Sequence, residues 1–476
     1  MDAPTPPLDD RLLDRFAAIA GERYALRDPQ AVAPYLVELR DRYFGRTAMV
    51  LRPGSVAEVA AVLKLANETR TAIVPQGGNT GMVGGQIPDK SGGQIVLSLS
   101  RLDRIRAVDP EGDTMTVDGG VTLAAARAAA DAADRLFPLS LASEGTCEIG
   151  GNLSTNAGGT AVLVYGNSRE LCLGLEVVLA SGEVWNGLRR LRKDNTGYDL
   201  RDLFIGAEGT LGVITGAVLK LFPKPRGAAT AFVGLASPTA ALALFRVARG
   251  IAGGALTAFE LFPRIGIDFL LRHLPGARDP LAGRHEWYVL FDVSTLHAQA
   301  EADQLVEAIF GEGFDRGLAQ DGMRAESVAQ AEEVWRLRHS MSEVQRHEGG
   351  SIKHDVAVPV SAVPALIERA SAAVAAAIPG VRPVPFGHIG DGNIHFNFSQ
   401  PLGADKRAFL ARWDEVNDIV HGVVVDLGGT ISAEHGVGVM KRDLLKRVKS
   451  PLEIDMMRRL KTAFDPNGIL NPGKVL

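Results

Sequence analysis

The stretch PQGGNTG at residues 75–81 decides the reading of this chain. It follows a short apolar run, 71–74, that reads as a strand. Successive backbone N–H groups in such a loop form a concave cradle for an anion. Glycine lets the backbone close on a diphosphate without a Cβ clash. Two more clusters follow within about 140 residues, EGTCEIGGNLSTNAGG at 144–159 and FIGAEGTLGVIT at 204–215. Tight turns explain any one of them, but not three in this order. Familiar phosphate motifs are missing. The one Gly-Lys pair, Gly473-Lys474, is followed by Val475, so there is no Walker-type loop, and no G-x-G-x-x-G opens a βαβ unit.

Working outward, glycine is in excess, 53 of 476 residues, or about 11% against a usual ~7%. Charge sums to −5, from 51 cations and 56 anions, which argues against a nucleic-acid binder. Two cysteines exclude a disulfide framework and an all-sulfur zinc site. The proline-rich, acidic start resembles neither a signal nor a transit peptide, and a cytoplasmic location is expected. The most apolar stretch, 240–262, contains Arg246 and Arg249, so no membrane span is expected.

All ten histidines lie after residue 272, whereas the glycine motifs lie mostly before 215. The chain thus divides into a glycine-rich front and a histidine-bearing back. In the front, a helix is expected at 55–69, opened by Ser55 with Glu58 at capping-box spacing, then strands at 94–99, 104–109 and 114–118. A hairpin is expected across Ser181-Gly182. Pro223-Lys224-Pro225 marks the first boundary. Beyond it, strands at 228–235 and 287–293 alternate with helices at 237–252, 296–310, 326–347 and 361–378. This predicts an α+β fold with an antiparallel sheet and flanking helices.

In FGHIGDGNIHFNF, 386–398, Gly390-Asp391-Gly392-Asn393 reads as a hairpin turn. A four-residue loop would pair Ile389 with Ile394 and His388 with His395. Directly opposed Cβ atoms lie roughly 4.5–5.5 Å apart, close enough to share one metal ion. Asn397 would point to the same face. AEHGVG at 433–438, after the strand-like GVVVDLGGTIS, offers Glu434 as a third ligand. Two histidines and a carboxylate with an open position suit a catalytic zinc, and would also suit iron or manganese.

With PQGGNTG, GGNLSTNAGG (150–159), GAEGTLG (206–212) and NPGK (471–474) together, the chain resembles the vanillyl-alcohol-oxidase flavoproteins, with a flavin domain of the p-cresol methylhydroxylase (PCMH) type. The resemblance covers nearly the whole chain. It implies a PCMH-type FAD-binding domain of two α+β subdomains plus a substrate (cap) domain. The segments would be an N-terminal helical part (1–44), the flavin domain (45–225), the cap (226–430) and a C-terminal return to the flavin (431–476). It implies FAD bound by Pro75, Gln76, Gly77, Gly78, Asn79, Thr80, Gly81, Gly84, Gly145, Thr146, Gly150, Gly151, Asn152, Thr155, Asn156, Ala157 and Asn471. Glu208, Gly209, Gly212 and Ile214 would line the adenine and ribose side. The front half lacks histidine, and Cys147 and Cys172 sit among small or apolar residues, so noncovalent FAD is expected.

GHIGDGNIH and AEHGVG are similar to the branch that oxidises D-2-hydroxy acids, including D-lactate, glycolate and D-2-hydroxyglutarate dehydrogenases. That resemblance implies zinc on His388, His395 and Glu434, with His435 as base and substrate contact. It implies C2 hydride transfer to flavin N5, with Asn397 orienting the C1 carboxylate. Arg338 and Ser342 are four apart, on one helix face, and Lys353 follows in a strand. In the D-2-hydroxyglutarate branch, matching residues hold the distal carboxylate, which points to a dicarboxylate and 2-oxoglutarate as product. D-lactate or glycolate is the near alternative. A zinc hydrolase with a glycine-rich scaffold is the distant one. An electron-transfer flavoprotein or a quinone would suit as electron acceptor, and a homodimer is compatible with the resemblance.

Overall fold

Pro223-Lys224-Pro225 lies at a transition in the computed structural model, which describes residues 8–476. One compact unit comprises the chain through Gly159, Gly166–Lys224 and Glu434–Leu476, and a second comprises Thr160–Tyr165 and Pro225–Ala433.

The first unit carries two sheets. A four-stranded sheet runs in the order Ala25–Leu26, Val50–Leu51, Gln94–Ser98, Ala72–Gln76, the last three mutually parallel. Helix Val56–Thr69 makes the crossover a parallel pair requires. Its Val59, Val62, Leu63 and Ala66 pack with Ile73, Ile95 and Leu97. Ser55 Oγ accepts the Glu58 amide at 3.2 Å, whereas the Glu58 carboxylate accepts from Gly54 N at 2.8 Å, one residue before the expected partner. The strand that precedes this helix is short, Val50–Leu51. The second sheet is antiparallel, in the order Ile105–Asp109, Thr114–Asp118, Val213–Lys220, Cys172–Val178, Val184–Gly187.

The second unit holds a four-stranded antiparallel sheet, ordered Leu256–Pro263, Trp287–Thr295, Gly227–Leu235, Ala319–Arg324. A three-stranded sheet, Ser351–Ala357, Asn393–Ser399, Arg382–Phe386, abuts it through a bridge between Leu261 and Gly387. Ile352, Val356, Ile394, Phe396 and Phe398 face the helices. By the two-residue alternation of strands, Lys353, Asp355, His395 and Asn397 face the other way.

Two local expectations fail here. GVVVD, expected as a strand, is the end of helix Trp413–Asp426. Val416, Val420 and Val424 recur every four residues and are fully buried, so the helical period wins over β-propensity. The hairpin register also differs, because Phe386, not His388, opposes His395. Gly387 leaves the hairpin to exchange two hydrogen bonds with Leu261, and its φ of 129° is open to glycine. The connection then spans six residues rather than four.

The helical stretch Val360–Ala377 is long and apolar enough to cross a membrane by length and composition alone. It contains Glu368 and Arg369, and its Val363, Leu366, Ile367, Ala370 and Val374 pack into the core of the second unit.

Candidate active site

In the first unit the glycine loop leaves the carboxyl end of Ala72–Gln76, where ligands settle on parallel sheets. It borders a cavity of about 530 Å³. Of the residues expected at the flavin, Pro75 to Gly81, Thr146, Gly150, Gly151, Asn152, Thr155, Ala157, Glu208, Gly209 and Ile214 line it. A Cβ on Gly78 would lie 1.8 Å from the Thr146 carbonyl oxygen, so the loop needs glycine there. Among the described residues, no amide of Gly77 to Gly81 donates a hydrogen bond within the chain. Five consecutive donors at a cavity wall, with glycine in three of those positions, suit a dinucleotide diphosphate.

Five expected residues do not border the cavity. Gly84 lies against the Tyr43 ring with φ at 72°. Gly145 has open space at its Cβ. Asn156 Oδ1 accepts the Arg169 amide, and Gly212 packs against Val177 and Phe204. Asn471 donates Nδ2 to the carbonyls of Gly85 and Glu208, tying NPGK to two glycine motifs.

Sequence reasoning missed Gln86, Ser143, Ser154 and Glu148 in the cavity wall. Gln86 Nε2 donates to Asn79 Oδ1 at 3.1 Å and the Gly81 carbonyl at 2.8 Å, holding the loop. Only its position in the long GMVGGQ segment signalled this.

Glu434 and His435 line the same cavity. Glu434 Oε2 accepts the Gly159 amide at 3.3 Å, and Oε1 lies 3.7 Å from His435 Nε2. Glu208, expected beside adenine and ribose, spends its carboxylate elsewhere. Its oxygens accept the amides of Val437 and Gly438 at 2.7 and 2.8 Å, fixing the segment that carries His435. Burial nonetheless pushes its pKa up. Cys147 and Cys172 are both buried thiols. Burial pushes Cys172 up to about 12, which suppresses the nucleophilic thiolate.

In the second unit, two of the expected substrate residues, Lys353 and Asn397, share one sheet face. Lys353 pairs with Asn397 across the strands, and Asp355 with His395 in the next same-face pair. Lys353 Nζ donates to the Ser342 carbonyl at 2.7 Å and its hydroxyl at 3.0 Å. Asn397 Nδ2 donates to Gln345 Oε1 at 3.1 Å. Although the ladder does not oppose them, the His388 and His395 rings lie 5.4 Å apart at 72°.

Glu260 organises this corner, and sequence reasoning missed it. It is 1% exposed on Leu256–Pro263, where the apolar TAFELF pattern gave no sign of an ion pair. Oε1 takes His388 Nδ1 at 2.5 Å and Oε2 takes Arg338 Nε at 2.5 Å. Burial opposes its charge, but Arg338 and His388 outweigh burial and hold its pKa far below the usual range. An ionised carboxylate only accepts, so His388 carries its proton on Nδ1. In the neutral ring Nε2 would hold the lone pair, and it lies 3.4 Å from an Arg338 terminal nitrogen. With Asp355 Oδ1 3.9 Å from His395 Nδ1 and His388 oriented by a carboxylate, this face carries side chains of the types that ligate divalent metals.

Comparisons with known proteins agree with both halves. Residues 47–187 match a family model described as an FAD binding domain, and 224–475 match the C-terminal domain of FAD linked oxidases. A D-2-hydroxyglutarate dehydrogenase of Xanthomonas citri pv. viticola is 37% identical, covering 98% of this chain and 97% of that protein. A D-2-hydroxyglutarate–pyruvate transhydrogenase of Saccharomyces cerevisiae is 36% identical over 98% and 95%. The solved structure of p-cresol methylhydroxylase with substrate bound matches with a TM-score of 0.76 at 17% identity, over 98% of this chain and 96% of that one. These likenesses set aside the hydrolase alternative: the chain belongs to the D-2-hydroxyglutarate dehydrogenase family of FAD-linked oxidoreductases, on the PCMH-type fold.

Proposed function

We propose that the chain oxidises D-2-hydroxyglutarate to 2-oxoglutarate. The observation that carries this reading is the Lys353–Asn397 pair, beside Asp355–His395 on one face. It sets a cation and an amide one same-face step from His395. A dicarboxylate needs one group at the reacting end and a second cation for its far carboxylate. Lys353, braced by Ser342, is suited to the far carboxylate, and the terminal nitrogens of Arg338 to a bidentate grip. Lactate has no second carboxylate to use Lys353.

FAD, when bound, supplies the two-electron acceptor for the C2–H bond. A divalent metal held by His388 and His395 would acidify the C2 hydroxyl. Glu434 is proposed as the carboxylate ligand on its AEHGVG motif alone. His435 borders the flavin cavity and is proposed to take the hydroxyl proton, a task for an imidazole neutral near pH 7. An electron-transfer flavoprotein or a quinone is the proposed acceptor.

The test is steady-state kinetics with an artificial electron acceptor on both substrates. A kcat/KM at least tenfold higher for D-2-hydroxyglutarate than for D-lactate supports the assignment. Preference for D-lactate removes Lys353 from substrate recognition and leaves the reaction class intact.

A further inference from the structure

Glu148 is a carboxylate that neither the fold nor the proposed chemistry uses. We infer that Glu148 is held as a neutral carboxylic acid behind the glycine loop and donates its proton, as a hydrogen bond, to the diphosphate of bound FAD. The residue is 5% exposed and borders the flavin cavity. Its Oε2 is sealed from solvent and has no hydrogen-bond partner among the described residues. A Cβ on Gly77 would lie 3.3 Å from that oxygen, so the carboxyl backs onto the first glycine of the anion cradle.

An ionised carboxylate there would repel the phosphates, while a neutral acid adds one donor to the five loop amides. Burial pushes Glu148 up to about 8. The charged groups acting on it are Arg52, which lowers it, and Asp103, which raises it. Arg52 directs Nε to Ser100 Oγ at 3.3 Å rather than to Glu148. The neighbouring Cys147 sulfur takes Asn152 Nδ2. Lys474, in another part of this unit, is lowered by burial to about 8 and titrates in the same range, so a variant control is required.

The experiment titrates the deflavinated full-length protein with FAD, and in parallel with riboflavin, between pH 6.5 and 9, following flavin fluorescence. Wild type is expected to lose about tenfold in FAD affinity over that range, as the unliganded acid ionises. Riboflavin, which lacks phosphates, is expected to show no such loss. Glu148→Gln, neutral at every pH and still an N–H donor, should bind FAD with a flat profile. A flat wild-type profile, or the same slope in Glu148→Gln, overturns the inference. Equal slopes for riboflavin overturn the diphosphate as the contact. A second readout needs only wild type: FAD binding should take up roughly three-quarters of a proton at pH 8.5 and almost none at pH 6.5. No uptake at pH 8.5 also overturns the inference.

Discussion

His388 gives its Nδ1 proton to Oε1 of Glu260 at 2.5 Å, and the same carboxylate holds Arg338 through Oε2. One buried anion therefore sets both the tautomer of a proposed metal ligand and the posture of a proposed substrate arginine. His388 Nε2 lies 3.4 Å from an Arg338 terminal nitrogen, so in the proposed site substrate grip and metal binding would be coupled through these three side chains.

Replacing Glu260 tests that coupling. In Glu260→Gln one oxygen becomes an N–H donor facing another donor. Metal affinity, measured by elemental analysis after dialysis against graded chelator, should fall by about 10–100-fold. Stability in urea should fall by about 3 kcal/mol, because Arg338 loses its buried partner. Wild-type metal affinity in the variant would separate Glu260 from the metal site.

Lys353 separates substrates. Lys353→Met should lower kcat/KM for D-2-hydroxyglutarate by about 10–100-fold, the range for a lost hydrogen bond to a charged group. D-Lactate turnover should change by less than about threefold. Equal losses on both substrates would place Lys353 in the architecture rather than in recognition.

Gly78→Ala should yield a colourless protein. The added methyl would lie 1.8 Å from a backbone oxygen, so the loop must shift and its amides lose their aim. The check is the ratio of flavin to protein absorbance after purification. Wild-type flavin content would show that the loop tolerates the shift.

Asp292 gives a pH signature. Its carboxylate accepts from Thr230 Oγ1 at 2.7 Å and Trp335 Nε1 at 2.9 Å, and burial raises it to about 6. A raised folded value means that its contribution is complete below the unfolded value near 3.8 and is lost as pH rises through 6. Asp292→Asn should therefore gain on wild type by roughly 2 kcal/mol between pH 4 and pH 7 in urea unfolding. A pH-independent difference would contradict a raised Asp292.

How far the sequence could be read follows from the range of each signal. The glycine loop was legible because its function is local: consecutive amides need consecutive residues. Asn397 and His395 were legible because strand alternation places them on one face, whereas Lys353 was read from the resemblance to the D-2-hydroxyglutarate branch. The hairpin register was not, because Gly387 answers to Leu261, more than a hundred residues away. Glu260 was hidden for the same reason, as one acid among apolar neighbours whose partners lie 78 and 128 residues onward. GVVVD misled because consecutive valines satisfy both periods, and only Val416 and Val420 upstream settle for the helix. Glu208 was assigned to the cofactor from its motif, while its carboxylate serves a segment about 230 residues later.

Anaerobic mixing with substrate, while following the flavin absorbance, tests the central claim most directly. D-2-Hydroxyglutarate should bleach the wild-type flavin quickly and D-lactate slowly. His435→Asn should retain its yellow colour and bleach at least about 100-fold more slowly, as expected for a lost general base. Equal bleaching rates in His435→Asn and wild type, or no bleaching of a yellow wild-type protein by D-2-hydroxyglutarate, would contradict the account.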